Sequence, residues 1–228
     1  MKLLTIDTST NTCSVALTLG ERLAGEYLVD LDRTLTNRLL SCVDMLLTDA
    51  GLTVADLDAL GVALGPGSFT GVRVGVATVK GLALAAAKPV AGFSSLAMLA
   101  MNLPWSSCPV CAMFDARKKE VYAGLYSCRT LPEPLDKDAV LPPSELLYKI
   151  NDPTIFIGEG AVKYRDLITA SLGDKALFAP WSLNQPRASA GALLAAEALA
   201  KGETIPLADL NPAYIRPSEA ELAKLASR

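Results

Sequence analysis

Leu60-Gly-Val-Ala-Leu64, Gly65-Pro-Gly-Ser-Phe-Thr-Gly71 and Val72-Arg-Val-Gly-Val-Ala-Thr-Val-Lys-Gly-Leu-Ala-Leu-Ala-Ala-Ala87 form one continuous stretch. An apolar run of strand length enters a glycine-rich turn, and a helix leaves it. Gly65, Gly67 and Gly71 permit tight turning and close backbone approach, and Ser68 or Thr70 is placed to cap the helix. Beyond the cap, Arg73, Thr78 and Lys80 are the helix's only polar side chains, and glycines and alanines keep its surface thin. A helix apolar nearly all round must be covered on more than one side. It is either a central core helix or one with a face against another protein.

Working outward, Leu3–Ile6 reads as a buried strand ending in Asp7, followed by the polar turn Thr8–Thr12. Cys13, Val15, Leu17 and Leu19 alternate with small or polar residues, and Gly20-Glu21 turns into a third strand over 23–29. Short turns between three strands predict an antiparallel meander. From Thr34 to Ala50 the period becomes helical, with Leu35, Leu39, Val43 and Leu46 on one stripe, Leu40 and Leu47 beside it, and Gly51 as the stop. Thr53 and Asp56 have the spacing of a capping box. After the central helix, Pro89–Phe93 is a strand and Ser94 or Ser95 caps a helix over 97–103.

The plan then repeats. Val110–Asp115 is a strand ending in Asp, Ala116–Glu120 a polar turn, and Val121–Tyr126 a returning strand. Thr154–Gly160 echoes the strand-to-glycine turn, with a helix over 162–172, a strand over 176–178 and a last helix over 189–201. Leu131–Pro143, rich in proline and charge, reads as a surface insertion. Two related halves predict an α/β molecule of two lobes facing a cleft, divided near 104/105 (1–104 and 105–228), with Asp7 and Asp115 near one another. The last helix and tail are candidates to pack back on the first lobe.

Composition narrows the chemistry. Of 228 residues, 51% are hydrophobic and 20% charged, so the chain buries a real core. A net charge of −3 lacks the basic footprint of a protein that binds nucleic acid unaided. Histidine is absent, which removes the usual general base, the commonest zinc ligand and every Ser-His or Cys-His pair. Five cysteines and no signal-peptide pattern predict free thiols in the cytoplasm. The uncharged stretch 89–114 is broken by Pro104 and Pro109, so no membrane span is expected.

The candidate motifs each have a limited reading. Gly65–Gly71 lacks the Gly-Lys-Ser/Thr of a phosphate loop, and Asp7-Thr8-Ser9 has Ser9 where phosphate-binding relatives of this turn place glycine. Asp7, Thr8, Ser9, Gly67, Ser68 and Asp115 are therefore kept as a vestigial nucleotide or phosphate site. Ser68 has no histidine to activate it, leaving a Ser68–Lys80 pair as its one arrangement. Cys108-Pro-Val-Cys111 with Cys128 is short of zinc donors and leads into a strand, which favours buried thiols. Arg117-Lys118-Lys119 is a basic hairpin tip, either solvated or a minor contact to RNA or a partner. Apolar surplus on the helices 34–50 and 70–87 predicts a protein interface.

The Gly65–Gly75 stretch, Leu4–Thr10 with Cys13–Ala16, Phe114-Asp-Ala-Arg117 with Glu120-Val-Tyr122, and Pro212-Ala-Tyr-Ile-Arg216 together resemble the TsaB (YeaZ) family. The matches run in order along the whole chain. The resemblance implies an actin-like ATPase (ribonuclease H-like) duplicated two-lobe fold, with mixed sheets flanked by helices. It implies a non-catalytic role in forming threonylcarbamoyladenosine beside the anticodon of tRNAs that read codons starting with A. Implied partners are a TsaD-like transferase and a TsaE-like ATPase, with tRNA reached through the complex, a homodimer when alone, and no cofactor or metal. The family's pairing surface is its first two helices, here 34–50 and 70–87. On these the expected contacts are Leu39, Val43, Leu46, Leu47, Val72, Val76, Val79 and Ala83, with Arg73 and Lys80 at the rim. Many members carry histidine where this chain has Leu35. The alternatives are an actin-like ATPase or small-molecule kinase using the cleft and, more remotely, a protease acting on the partner.

Overall fold

The computed structural model describes residues 1–30 and 36–216. Leu35, the first residues of the 34–50 helix, and the end of the tail lie outside them. In the first half, β1 (Lys2–Asp7), β2 (Thr12–Leu19) and β3 (Arg22–Asp30) form the expected meander, followed by α1 (Thr36–Asp49). Then come β4 (Ala59–Ala63), α2 (Phe69–Ala86), β5 (Val90–Phe93) and α3 (Ser95–Ala100). β4 lies parallel to both β1 and β5, which gives the strand order β3-β2-β1-β4-β5.

The second half repeats this order. β6 (Val110–Asp115) and β7 (Val121–Ser127) are antiparallel, with the short β8 (Glu133–Pro134) and β9 (Ala139–Leu141) on β7. After α4 (Pro143–Tyr148), β10 (Thr154–Ile157) joins β6 in parallel. Helices α5 (Glu159–Lys163) and α6 (Arg165–Leu172) lead to β11 (Ala176–Phe178), parallel to β10, and α7 (Ala188–Ala200) comes last.

Period-two alternation sorts each strand's side chains onto two faces. Leu4, Ile6, Val15, Leu17, Leu60 and Val62 share a core with α1 and α2, whereas Leu3, Ala59, Ala63, Ala91 and Phe93 share one with α7. In the second sheet Cys111, Met113, Val121 and Phe156 meet the layer of α4 to α6, and Ala112, Phe114, Tyr126 and Ile157 meet α3. The last helix of each half thus lies on the sheet of the other, and α3 touches α7 between the sheets.

Three expectations change. The 131–143 segment is no mere surface insertion: it extends the sheet, and Asp138 accepts hydrogen bonds from Ser94 Oγ at 2.8 Å and Tyr126 Oη at 2.5 Å. The 162–172 helix is two helices, because Tyr164 leaves helical geometry at φ −105°, ψ 19°. The 97–103 helix starts at Ser95 and stops at Ala100, beyond which Asn102 Nδ2 donates to the carbonyls of Leu183 and Gln185.

A clamp fixes α7 to the first sheet. Glu26 on β3, its side chain 6% exposed, accepts from Arg187 Nη2 at 3.0 Å, Arg187 Nε at 3.2 Å and the Ser189 amide at 2.9 Å. Ser14 Oγ takes the Ala188 amide at 2.8 Å, so strands of the first half satisfy the opening amides of the last helix. Glu26→Ala removes this acceptor and leaves Arg187 without its partner. A loss of about 2–3 kcal/mol in urea denaturation is expected, a little under a fully buried pair because Arg187 is part-exposed, with faster amide exchange in the first turn of α7.

Candidate functional site

The β1–β2 turn sits inside the glycine loop. Thr8 Oγ1 donates to the Gly71 carbonyl at 2.7 Å, and the Ser9 carbonyl accepts the Ser68 amide at 2.6 Å. A Cβ on Gly67 would collide with the Ser9 carbonyl and one on Gly71 with the Thr8 carbonyl, so these two positions require glycine. Ser68 caps α2 through Gly71 N–H···Oγ at 3.3 Å, and the Val72 amide donates to the Ser68 carbonyl. The Ser68, Gly71 and Val72 amides at this helix start are therefore occupied from within, where an anion site would need them free.

Asp7 is completely buried, and its Oδ1 accepts the Ser9 amide at 3.0 Å. Burial pushes its carboxyl up to about 6, against the opposing pull of the Ser9 side chain and the Ser9 and Thr8 amides. Asp115, at the equivalent strand end, is instead ion-paired: Oδ2 faces Lys163 Nζ at 2.7 Å and Arg117 Nη1 at 3.5 Å, and Oδ1 accepts the Arg117 amide at 3.1 Å. Its own amide donates to Glu159 Oε1 at 3.4 Å, and burial raises the Glu159 carboxyl.

Between the halves lies a cleft of about 640 Å³. Ser9, Gly67, Ser68, Phe69 and Arg73 line one side, and Phe114, Asp115, Arg117, Lys118, Tyr122 and Glu159 the other. Ala213–Arg216 close its end. The Ala213 amide donates to the Leu64 carbonyl at 2.7 Å; the Tyr214 ring stacks on Phe69 with centroids 4.9 Å apart; Tyr214 Oη accepts from Arg73 Nε at 2.6 Å. Arg216 reaches the other half, donating to the Ala116 carbonyl at 2.8 Å and pairing with Glu120. The tail thus bridges the two halves at the cleft. Sequence reading missed this role for Tyr214 and Arg216, and its one signal was their place in the Pro212–Arg216 motif.

Arg117, Lys118 and Lys119 all adopt left-handed backbone, with φ of 62°, 49° and 63°. Side-chain-bearing residues occupy that region at a cost of about 1–2 kcal/mol each. The Ala116–Glu120 and Glu120–Arg117 backbone bonds hold the turn closed.

Other candidates resolve simply. Ser68 and Lys80 are three turns apart on one helix, about 18 Å along its axis, so they form no pair. Cys111 and Cys128 are buried, their thiols pushed up to about 12 and about 11 by burial, which makes them poor nucleophiles and ligands. Among the described residues no group of three His, Cys, Asp or Glu side chains stands close enough to hold a metal.

The residue assignment of the expected interface needs correction. Leu39, Val43, Leu46, Leu47, Val72, Val76, Val79 and Ala83 are 0–5% exposed, inside the chain's own core. Those stripes cover the first sheet. The surplus points outward instead: Leu40, Met45 and Leu84 are 58, 51 and 74% exposed, with Ala77, Gly81 and Ala85 exposed beside Leu84's turns. Arg73 is exposed and Lys80 half-buried.

Two mixed sheets in repeated strand order, flanked by helices around a cleft, define an actin-like α/β protein. The component A of (R)-2-hydroxyglutaryl-CoA dehydratase of Acidaminococcus fermentans shares this fold at 13% identity and a TM-score of 0.53, over 88% of this chain and 99% of that one. Closer similarity is specific. Residues 30–224 match the family TsaD: tRNA N6-adenosine threonylcarbamoyltransferase. The tRNA threonylcarbamoyladenosine biosynthesis protein TsaB of Bacillus subtilis is 34% identical, over the full length of both chains. A Pseudomonas aeruginosa protein described as uncharacterized, with similarity to peptidase YEAZ, superposes at a TM-score of 0.83 with 34% identity, over 94% of this chain and 99% of that one. The chain belongs to the TsaB (YeaZ) family.

Asp7 separates a structural from a catalytic role. Its folded value of about 6 exceeds the ordinary 3.8, so the native state holds the proton more tightly and this group's contribution to stability falls as pH rises from 3.8 to 6. Asp7→Asn is expected to raise the unfolding free energy from urea denaturation at pH 8, by on the order of 3 kcal/mol at most, and to change little near pH 4. Lower stability at pH 8 would show that the carboxylate itself is needed.

Proposed function

We propose that this chain serves threonylcarbamoyladenosine formation in tRNA as the non-catalytic partner of a TsaD-like transferase, docking through the outer faces of α1 and α2. The observation that carries the reading is the apolar and small-residue surface of Leu40, Met45, Ala77, Gly81, Leu84 and Ala85, left over after both helices have covered their sheet. By length and composition α2 would also suit a membrane, but its inner stripe is seated on β4 and β1. Exposed apolar surface on adjacent helices is a protein-contact surface.

The cleft supports the non-catalytic part of the reading. Its glycine loop gives the Ser68 amide to the β1–β2 turn, Asp7 is buried, and Asp115 is held by Lys163. Peptidase chemistry is equally unsupported: Ser68 Oγ serves as a helix cap, and the chain has no histidine. In this reading residues 1–104 and 105–228 supply the two lobes. A TsaE-like ATPase joins the assembled pair in the cytoplasm, tRNA is met there, and the same helical surface forms a homodimer when the partner is lacking.

Size exclusion with light scattering tests the pairing. Wild type is expected to form a one-to-one complex with its TsaD-like protein. Leu84→Arg, at an exposed site, should leave the fold intact and weaken the complex at least tenfold. Val76→Arg, 4% exposed in the core, should instead unfold the chain. A full-strength complex with Leu84→Arg would move the docking surface elsewhere.

A further inference from the structure

We propose that the mouth of the cleft is an RNA-contact site, where cations from three separate segments grip a phosphodiester. Arg73 comes from α2, Arg117 and Lys118 from the β6–β7 turn, and Arg216 from the bridging tail. Counted with their ion-pair partners, Arg73, Arg117, Lys118, Lys163 and Arg216 outnumber Asp115, Glu120 and Glu159 there, in a chain whose overall charge is −3. A local positive surplus against a negative whole marks a place where charge has been gathered rather than spread.

The backbone points the same way. Arg117, Lys118 and Lys119 stand in left-handed geometry that glycine or asparagine would fill with less strain. The turn keeps cations there at the expense of stability, and strained backbone of this kind gathers at functional sites. Arg117 has its side chain 80% exposed at a 3.5 Å ion pair, so most of its guanidinium faces outward.

Three features favour RNA over other anions. Beside the Phe69 ring, over which the Arg73 guanidinium lies at 3.7 Å, the Tyr214 ring is 42% exposed and offers a π face at the same mouth, which a base uses and an acidic peptide does not. The Ser68, Gly71 and Val72 amides at the helix start donate to Ser9 and Ser68, which leaves fewer of them to cradle a free polyphosphate. Phe69 and Arg73 also lie on α2, whose outer face is the docking surface proposed above, so a strand held by the partner would continue into this cleft. The choice of RNA as the natural anion rests on that functional reading; the site itself does not.

The test uses the full chain alone, with a fluorescently labelled tRNA anticodon stem-loop, by anisotropy between about 50 and 200 mM KCl. Wild type is expected to bind weakly, with a log–log salt slope of about −2 to −3, as for three phosphate contacts. Arg117→Asn combined with Lys118→Gly suits the left-handed backbone, so this variant should melt at the same temperature or higher. Its affinity should fall at least tenfold at low salt, and its slope should flatten by about 1.5. No binding by wild type at low salt, or an unchanged slope in the variant, overturns the proposal. So does displacement of the RNA by AMP or by polyglutamate at matched charge, which would assign the mouth to a free nucleotide or to an acidic protein. Because no partner is present, loss of the transferase complex would defeat the functional reading and leave this result standing.

Discussion

The rest of the molecule depends on how closely two backbones approach one another. The carbonyls of Thr8 and Ser9 press against the glycine loop where Gly67 and Gly71 have no side chain, and two hydrogen bonds lock the contact, Thr8 Oγ1 to Gly71 and Ser68 to Ser9. This seats the start of α2 directly over the end of β1. Once the start is fixed, the rotation of the helix is fixed, with Val72, Val76, Val79 and Ala83 turned to the sheet and Leu84 to the outside. The same contact seals Asp7 away from the cleft and consumes the Ser68 amide.

The duplicated strand ends show how one plan gives two electrostatic outcomes. Asp7 is covered by the glycine loop and faces backbone amides and a hydroxyl, so burial governs it. Asp115 has no such cover and meets Lys163 and Arg117. The halves diverge in the turn that leaves each strand, small and polar in one, cationic and left-handed in the other. The strand order is common to both.

Much of the fold was legible because it rests on local periods. The meander, the helix after Gly71, the Ser68 cap and the strands 110–115 and 176–178 come from alternation, cap residues and glycine. The partner surface was legible as a surplus but not as a set of residues. A helix that is apolar around most of its circumference carries no internal mark of which stripe its own sheet will take, so the buried stripe was mistaken for the exposed one. Asp138 and Tyr164 were missed for another reason. A carboxylate in a proline-rich stretch reads as solvated until Ser94 and Tyr126, distant in sequence, are seen to converge on it. A single break in helical geometry leaves no trace in an apolar pattern. The tail's bridge between halves is also non-local, depending on Phe69, Arg73 and Glu120 being brought together by the rest of the fold.

The exchange of last helices has a consequence for the order in which the molecule is made. α7 supplies the cover for the face of the first sheet formed by Leu3, Ala59, Ala63, Ala91 and Phe93, yet it is the last helix in the described chain. α3, made early, belongs to a sheet whose strands are still unsynthesised when it emerges. A nascent chain that has delivered the whole first half therefore carries one bare sheet face and one helix without its support. The cover for that face of the first sheet is complete only once residues near 200 have left the ribosome.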